Sequence, residues 1–484
     1  LEAQASPPAE LLSGAEQFWH DEGLPALEEF IRIPALSPDF DPEWERNGYL
    51  MAAAEHIRGW ADRQGLDDAT AEILRLPGLT PVVVVDVPAF PVARESTRPT
   101  LLYGHLDKQP PAGPWHLGAG PFEPTRTGDA LYGRGAADDG YAVFAALGAL
   151  RLLREQGHRH GRCVILVEAS EESMSAHLAP YLDDARFQSL VGPAGPGLAI
   201  CLDSGSPTYD RLWVTTSMRG HAVATVRVDV LAEEAHSGGW GGVVPDSYRL
   251  VRQLLSRIED EHTGRILVDE CYAEVPPYRV AELEALARDG GPAALGRVPR
   301  LPGAPTDPAP SGAELVRLLR AQTWEPALAV TGAGGLPAVA DGGSVIRPFT
   351  TLKLSIRLAP SADPERASDA LRTALTTNPP AGARVTFELL NLGAGFDAPR
   401  RADWLDKAIT DASHHYFGLP AAAVGRGGTN PFLSTMRARF PDAQILATGV
   451  LGPGSNAHAP DEMLHLPTAH KLTACVAHIL GAVP

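Results

Sequence analysis

The chain has 484 residues, more than one ordinary hydrophobic core accommodates, so two domains are expected. Hydrophobic residues at 44% and charged residues at 21% describe a soluble globular chain. A net charge of −18 disfavours nucleic acid and anionic membranes as partners, because phosphate contacts need clustered Lys and Arg, and no apolar run reaches spanning length.

Leu24 to Ile33 and Leu50 to Gln64 carry helical periodicity. Thr80 to Val87 and Pro99 to Tyr103 read as strands, the second running straight into Gly104-His105-Leu106-Asp107. The Gly133-Arg134-Gly135-Ala136-Ala137-Asp138-Asp139 stretch reads as a tight turn before a strong helix, Tyr141 to Glu155. Arg162 to Glu168 is an apolar strand ending at Glu171-Glu172, and Leu198 to Leu202 is another ending at Asp203. Three strands thus deliver acids or a histidine at their carboxyl ends, with helices between them. In open α/β sheets that edge is where ligand sites form.

After Met218-Arg219-Gly220 the pattern changes. His221 to Leu231 alternates like a half-exposed strand, Ser247 to Asp260 is helical, and Gly290 to Pro310 is loop-like in its Gly and Pro content. Thr350 to Leu358 alternates again, Asp363 to Thr376 is helical and Val385 to Leu390 is a further strand. This order suits a small α+β domain, residues 219–394, inserted into a larger α/β domain of residues 1–218 and 395–484. Ala402 to Tyr416 (helix) and Ala443 to Gly449 (strand) return the chain to the larger domain. Gly454-Ser455-Asn456-Ala457-His458 follows, in a loop too rich in Gly and Pro for a helix.

The chemistry lies in the scattered acids and histidines. Two histidines and three carboxylates can hold two zinc ions, and one further glutamate can deprotonate a water whose pKa a metal lowers. Each piece also has a plainer reading. His105 can cap a strand end with Asp107 solvated, or Asp107 can orient the imidazole. Asp139 can be the N-cap of the following helix. Glu171-Glu172 can be an acidic loop, Asp203 can belong to a turn in Asp-Ser-Gly-Ser-Pro, and Asp461-Glu462 can cap the segment after His458.

Taken together, these motifs resemble the aminoacylase, carnosinase and carboxypeptidase family of dinuclear zinc metallopeptidases, from about Leu24 to the C-terminus. The resemblance implies a catalytic domain with a mixed central sheet flanked by helices, and an inserted lid and dimerisation domain. It implies metal ligands at His105, Asp138, Glu172, Asp203 and His458, with Asp138 bridging two Zn2+ ions, Mn2+ or Co2+ being possible substitutes. Glu171 would be the general base and Asp107 would support the His105 end. His236, in Ala235-His236-Ser237-Gly238-Gly239, resembles the lid histidine that reaches the partner subunit's active site and stabilises an oxyanion; its plainer reading is a loop histidine. Arg357 resembles the arginine that holds a substrate carboxylate, against a simple salt bridge on a strand. Gly427-Gly428-Thr429-Asn430-Pro431 resembles a substrate-contacting loop, which makes Thr429 and Asn430 binding candidates.

Three positions depart from the family pattern. Gly140-Tyr141 stands where Lys-Gly is usual, Met174 where a glycine is usual, and Arg426 where carnosinase-type relatives tend to have an acid. Asp203 favours the dipeptidase branch, so the expectation is a homodimeric two-zinc hydrolase of dipeptides or similar small peptides. An N-acyl or N-carbamoyl amino acid amidohydrolase is the alternative, and a non-catalytic metal-binding protein of this fold is a second. No GxSxG elbow supports a serine hydrolase. Cys163, Cys201, Cys271 and Cys475 are spread singly and the first residues carry no signal-peptide pattern, so a cytoplasmic protein is expected, a processed exported chain being the other option.

Overall fold

The computed structural model describes residues 8–66, 68–91, 98–296 and 309–484. Thirteen strands matter here, numbered in chain order: β1 Thr70–Leu74, β2 Val82–Val87, β3 Thr100–His105, β4 Cys163–Glu168, β5 Leu198–Cys201, β6 Trp213–Met218, β7 Gly220–Asp229, β8 Ala327–Gly334, β9 Phe349–Leu358, β10 Arg384–Gly393, β11 Phe396–Asp397, β12 Ala422–Arg426 and β13 Gln444–Ala447.

A nine-stranded mixed sheet has the order β1-β2-β4-β3-β5-β13-β6-β11, with β12 also paired to β6. Strands β4, β3, β5 and β13 run parallel, so their carboxyl ends share one edge. Every residue of β3, β4 and β5 is buried, which explains why these strands read as continuous apolar runs rather than alternating ones. Leu102, Ile165 and Ile200 face a layer that includes the helices Tyr141–Glu155 and Leu466–Ala482. Leu101, Tyr103 and Leu166 face the opposite layer, with Phe187 and Phe432. Each buried Val, Leu or Ile side chain contributes about 1.5–3 kcal/mol relative to exposure, so both covers hold the sheet edge firmly.

A second, four-stranded antiparallel sheet has the order β8-β9-β7-β10. Strand β9 alternates buried and open positions, Leu352, Leu354, Ile356 and Leu358 entering a core with Leu250, Leu254 and Leu371. Helices Ser247–Leu255 and Pro364–Thr376 cover that face. Between them, helices Pro277–Asp289 and Gly312–Thr323 leave this layer. They pack Leu283, Leu286, Leu315 and Leu319 on Trp213 and Val424 of the large sheet.

The observed elements differ in places from those expected. The helix read over 247–260 stops at Leu255, and the loop read over 290–310 contains a helical turn at Gly291–Leu295, with 297–308 outside the described residues. Among the described residues, no helix is long and apolar enough to cross a membrane.

Candidate metal centre and active site

His105 closes β3, and His105, Asp138 and Asp203 bring ligand atoms within 4.8 Å of one another. Asp138, Glu172 and His458 form a second such group, so Asp138 belongs to both. The His105 Nε2 lies 3.4 Å from Asp138 Oδ1, and the His458 Nε2 lies 3.0 Å from Asp138 Oδ2 and 3.2 Å from Glu172 Oε2.

Among the described residues, two buried atoms in these groups, His105 Nε2 and Glu172 Oε1, have no hydrogen-bond partner. An unpaired buried polar atom is costly, and a cation satisfies an imidazole nitrogen and a carboxylate oxygen at once. Nitrogen and oxygen donors of this kind suit Zn2+, Mn2+ or Co2+. The residues therefore fit a pair of divalent ions.

The electrostatics of the donor groups point the same way. Burial alone would lower the His105 pKa, but the neighbouring Asp107 and Asp138 carboxylates hold it well above its usual value. Burial also lowers His458, and Asp138 and Glu172 outweigh it, taking that pKa up to about 10. Burial and Asp138 raise Glu172 to about 7, and burial raises Asp203 to about 6. Burial likewise tends to raise Asp138, but the two imidazoles outweigh it and lower its pKa. Each of these donors thus has a neighbouring charge or a burial cost that a bound cation would offset.

Asp107 is fully buried, not solvated. Its two carboxylate oxygens accept from the backbone N–H of Glu171 and of Glu172, at 3.1 and 3.0 Å. Its backbone carbonyl lies 3.0 Å from His105 Nδ1, a contact that fixes the ring so that Nε2 faces the other ligands. Asp107 thus ties the β3 end to the turn carrying both glutamates. Burial and the Asp203 charge raise the Glu171 pKa well above the usual carboxylate range.

Asp139 is not the helix N-cap. That position is Gly140, without a side-chain bond, and Asp139 Oδ2 accepts from the His105 backbone N–H at 3.2 Å. Gly104 leaves room for this: a Cβ there would fall 2.7 Å from Asp139 Oδ2. Nor do Asp461 and Glu462 cap the segment that follows. Asp461 Oδ1 accepts from the His116 and Leu117 N–H groups. Glu462, fully buried, accepts from Arg134 at 2.7 Å and from the N–H groups of Gly135, Ala137 and Asp138. It binds the Asp138 turn to the His458 loop, a function unread in the sequence. Gln109 was also unread; its amide donates to Glu172 Oε2 at 2.6 Å.

Of the expected substrate-binding residues, Asn430 donates to Asp203 Oδ2 at 2.7 Å and to Glu171 Oε1 at 3.4 Å. Its own oxygen caps the helix Pro431–Arg439 by accepting from Leu433 N–H. Thr429 joins Arg357, whose Nη1 is 3.4 Å away, and His221, whose Nδ1 is 3.2 Å away. Arg357 on β9 lies directly across from His221 on β7, so both side chains leave the same sheet face. His221 is a third residue the sequence reading missed. His236 is not brought to this cluster. It is exposed on the two-residue strand Ala235–His236, and its Nδ1 accepts from Gly239 N–H within its own turn.

Tyr141 is buried and its hydroxyl donates to the Leu202 carbonyl, one residue before Asp203. Met174 adopts the left-handed conformation, φ 62°, at the end of the Glu171–Ser173 turn, where a glycine would be unstrained. A cleft of about 1000 Å³ opens over the centre, lined by Asp138, Glu171, Asp203 and His458 on one side and Arg426 to Asn430 on another.

Comparison with known proteins matches residues 101–482 to the model of peptidase family M20/M25/M40. The cysteinylglycine-S-conjugate dipeptidase of Corynebacterium striatum is 28% identical over 377 residues, 75% of this chain and 76% of the relative. The Beta-Ala-His dipeptidase of Homo sapiens is 26% identical over 289 residues, 57% of this chain and 55% of the relative. Among solved structures, human carnosine dipeptidase 1 superposes with a TM-score of 0.74 at 20% identity, covering 99% of each chain. A metallo-carboxypeptidase of the M20 family from Sulfolobus solfataricus gives 0.76 at 19% identity, covering 95% of this chain and 99% of its own.

Proposed function

The chain belongs to peptidase family M20/M25/M40, and from that premise we propose that it is a two-zinc dipeptidase. The observation that carries this reading is the pair of donor groups sharing Asp138, with Glu171 on the same cleft. The names of the two dipeptidase relatives support the substrate class. His105, Asp138 and Asp203 would hold one ion, and Asp138, Glu172 and His458 the other. When bound, such ions supply Lewis acidity and lower the pKa of a nearby water.

The chain's own groups then do the proton work. Glu171 takes the proton of the attacking water and returns it to the leaving amine. Its raised pKa suits a carboxylate that must accept and then release a proton. Asp107 and Asn430 fix the Glu171 backbone and carboxylate, so little reorganisation is needed. Arg357, with Thr429 and His221 beside it, offers its guanidinium to the substrate's C-terminal carboxylate. The exposed position of His236 on a lid turn fits an oxyanion-stabilising role in the site of a second copy, which makes a homodimer part of the proposal. The lid would comprise residues 219–394 and the catalytic domain the remainder. A cytoplasmic setting fits four buried free cysteines.

A panel of free dipeptides, N-acetyl amino acids and N-carbamoyl amino acids, given to metal-loaded protein with product identification, tests the activity. Dipeptides are expected to be cleaved to two amino acids. Exclusive cleavage of N-acyl or N-carbamoyl substrates would replace the dipeptidase reading by the amidohydrolase one.

A further inference from the structure

We propose that Arg426 is a specificity-determining residue that binds a carboxylate on the acyl half of the substrate. The proposal rests on the reading above, in which Arg357 holds the carboxylate of the leaving half.

Arg426 ends β12, and its side chain lines the cleft together with Asp203 and Glu171. The guanidinium occupies the space beside Gly205, two residues beyond Asp203. A Cβ at Gly205 would fall 1.6 Å from Nη2 and 2.4 Å from Cζ, so any larger residue would evict the arginine. The side chain therefore has a built seat at the metal-ligand edge.

What it lacks is a partner. Among the described residues its guanidinium makes no hydrogen bond or ion pair, and the one charge acting on it appreciably is Asp203. Asp203 forms no ion pair with it; that carboxylate accepts from Asn430 and belongs to the donor group with His105 and Asp138. Of the other arginines, Arg357 meets one hydroxyl, that of Thr429, and three are committed. Arg134 pairs with Glu462, Arg279 with Glu282 and Asp397, and Arg219 donates to the carbonyls of Gly427 and Glu325.

A guanidinium carries five N–H donors in a planar fork and does not shed its charge in water-accessible sites. Holding that fork beside the reacting centre without an internal acceptor costs free energy unless a ligand supplies the acceptor. A carboxylate matches the fork in a bidentate way. A free ammonium group at the same place would be repelled. The substrate class is therefore an amide whose acyl half bears a carboxylate, such as an acidic N-terminal residue or a dicarboxylic acyl group.

The test is calorimetric binding to metal-loaded Glu171→Gln protein, which separates recognition from turnover. The probes are N-succinyl-glycine, N-acetyl-glycine and glycyl-glycine. N-succinyl-glycine is expected to bind roughly tenfold to a hundredfold more tightly than N-acetyl-glycine, the range of one charge-assisted pair. Adding Arg426→Gln should bring that ratio to about one, and Arg426→Lys should leave part of it. Equal binding of the three probes, a ratio unchanged by Arg426→Gln, or a ratio removed by Arg357→Ala instead would each overturn the assignment. A dipeptide panel cleaved normally alongside such a result would leave the hydrolase reading standing. Loss of all turnover in the parent protein would sink that reading separately.

Discussion

At the carboxyl edge of the nine-stranded sheet, His105, Asp107 and Asp138 are buried, and each is tied to a segment distant in sequence. On the four-stranded layer and its loops, Arg357 is half-buried and touches one hydroxyl, while His236 is exposed and bonds within its own turn. The edge is organised before any substrate arrives: Asp107 and Glu462 between them accept from five backbone N–H groups of the two ligand-bearing turns. The four-stranded layer is left with unspent polar capacity. Two covered sheet faces allow the first arrangement, and one open face allows the second. On the proposed function, the contrast separates residues that would set the chemistry from residues that would choose or enclose the substrate.

The largest effect should come from the edge. Glu171→Gln keeps its size but cannot take a proton, so kcat should fall by about a hundredfold to ten-thousandfold with metal content unchanged. Loss of metal with rate retained would exchange the roles of Glu171 and Glu172. Next, Glu462→Gln removes the charge that binds Arg134 and the Asp138 turn. Metal affinity should weaken by roughly 10–100-fold in a chelator competition, the usual cost of a disturbed supporting group. An unchanged affinity would show the edge to be less dependent on Glu462 than its four hydrogen-bond partners imply.

Arg357→Ala belongs to the other side of the contrast. It should cost about 1.5–3 kcal/mol in kcat/KM for substrates with a free C-terminal carboxylate, and far less for their amides. Equal losses would make Arg357 structural. The smallest effect is a recovery. His236→Ala and Glu171→Gln should each be nearly inactive alone. Random subunit exchange makes about half the dimers mixed, with one intact site each, so roughly a quarter of wild-type activity should return. No recovery after verified exchange would place His236 in its own chain's site or outside catalysis.

Much of the edge was legible because strand ends announce it. β3 and β4 are buried on both faces and read as apolar runs, so the polar residues just after them stood out. The parallel order β4-β3-β5 then brings together residues far apart in sequence. Glu462 and Gln109 were not legible, since their partners are backbone N–H groups and a ligand side chain that only the folded loops juxtapose. Asp139 looked like a helix cap because it precedes Gly140 and an apolar helix, yet its carboxylate turns to the β3 end instead. His221 lay hidden at the start of an alternating strand, where its use depends on the register with Arg357. The helices Pro277–Asp289 and Gly312–Thr323 also went unread, with a modest apolar stripe serving an unexpected partner, the large sheet.

The central claim is that one chain's edge holds two ions through a shared Asp138, and proton-coupled metal counting tests it most directly. With His458 raised to about 10 and Glu172 to about 7, loading the Glu172 and His458 side should displace protons. Metal affinity should therefore rise with pH from about 6 to about 10 and weaken in acid. Calorimetric Zn2+ titration of chelator-stripped protein, in buffers of different ionisation enthalpy, should show about two ions bound per chain, with proton release and with dipeptidase activity restored. A single ion per chain, no proton release, or full activity in the stripped protein would contradict it.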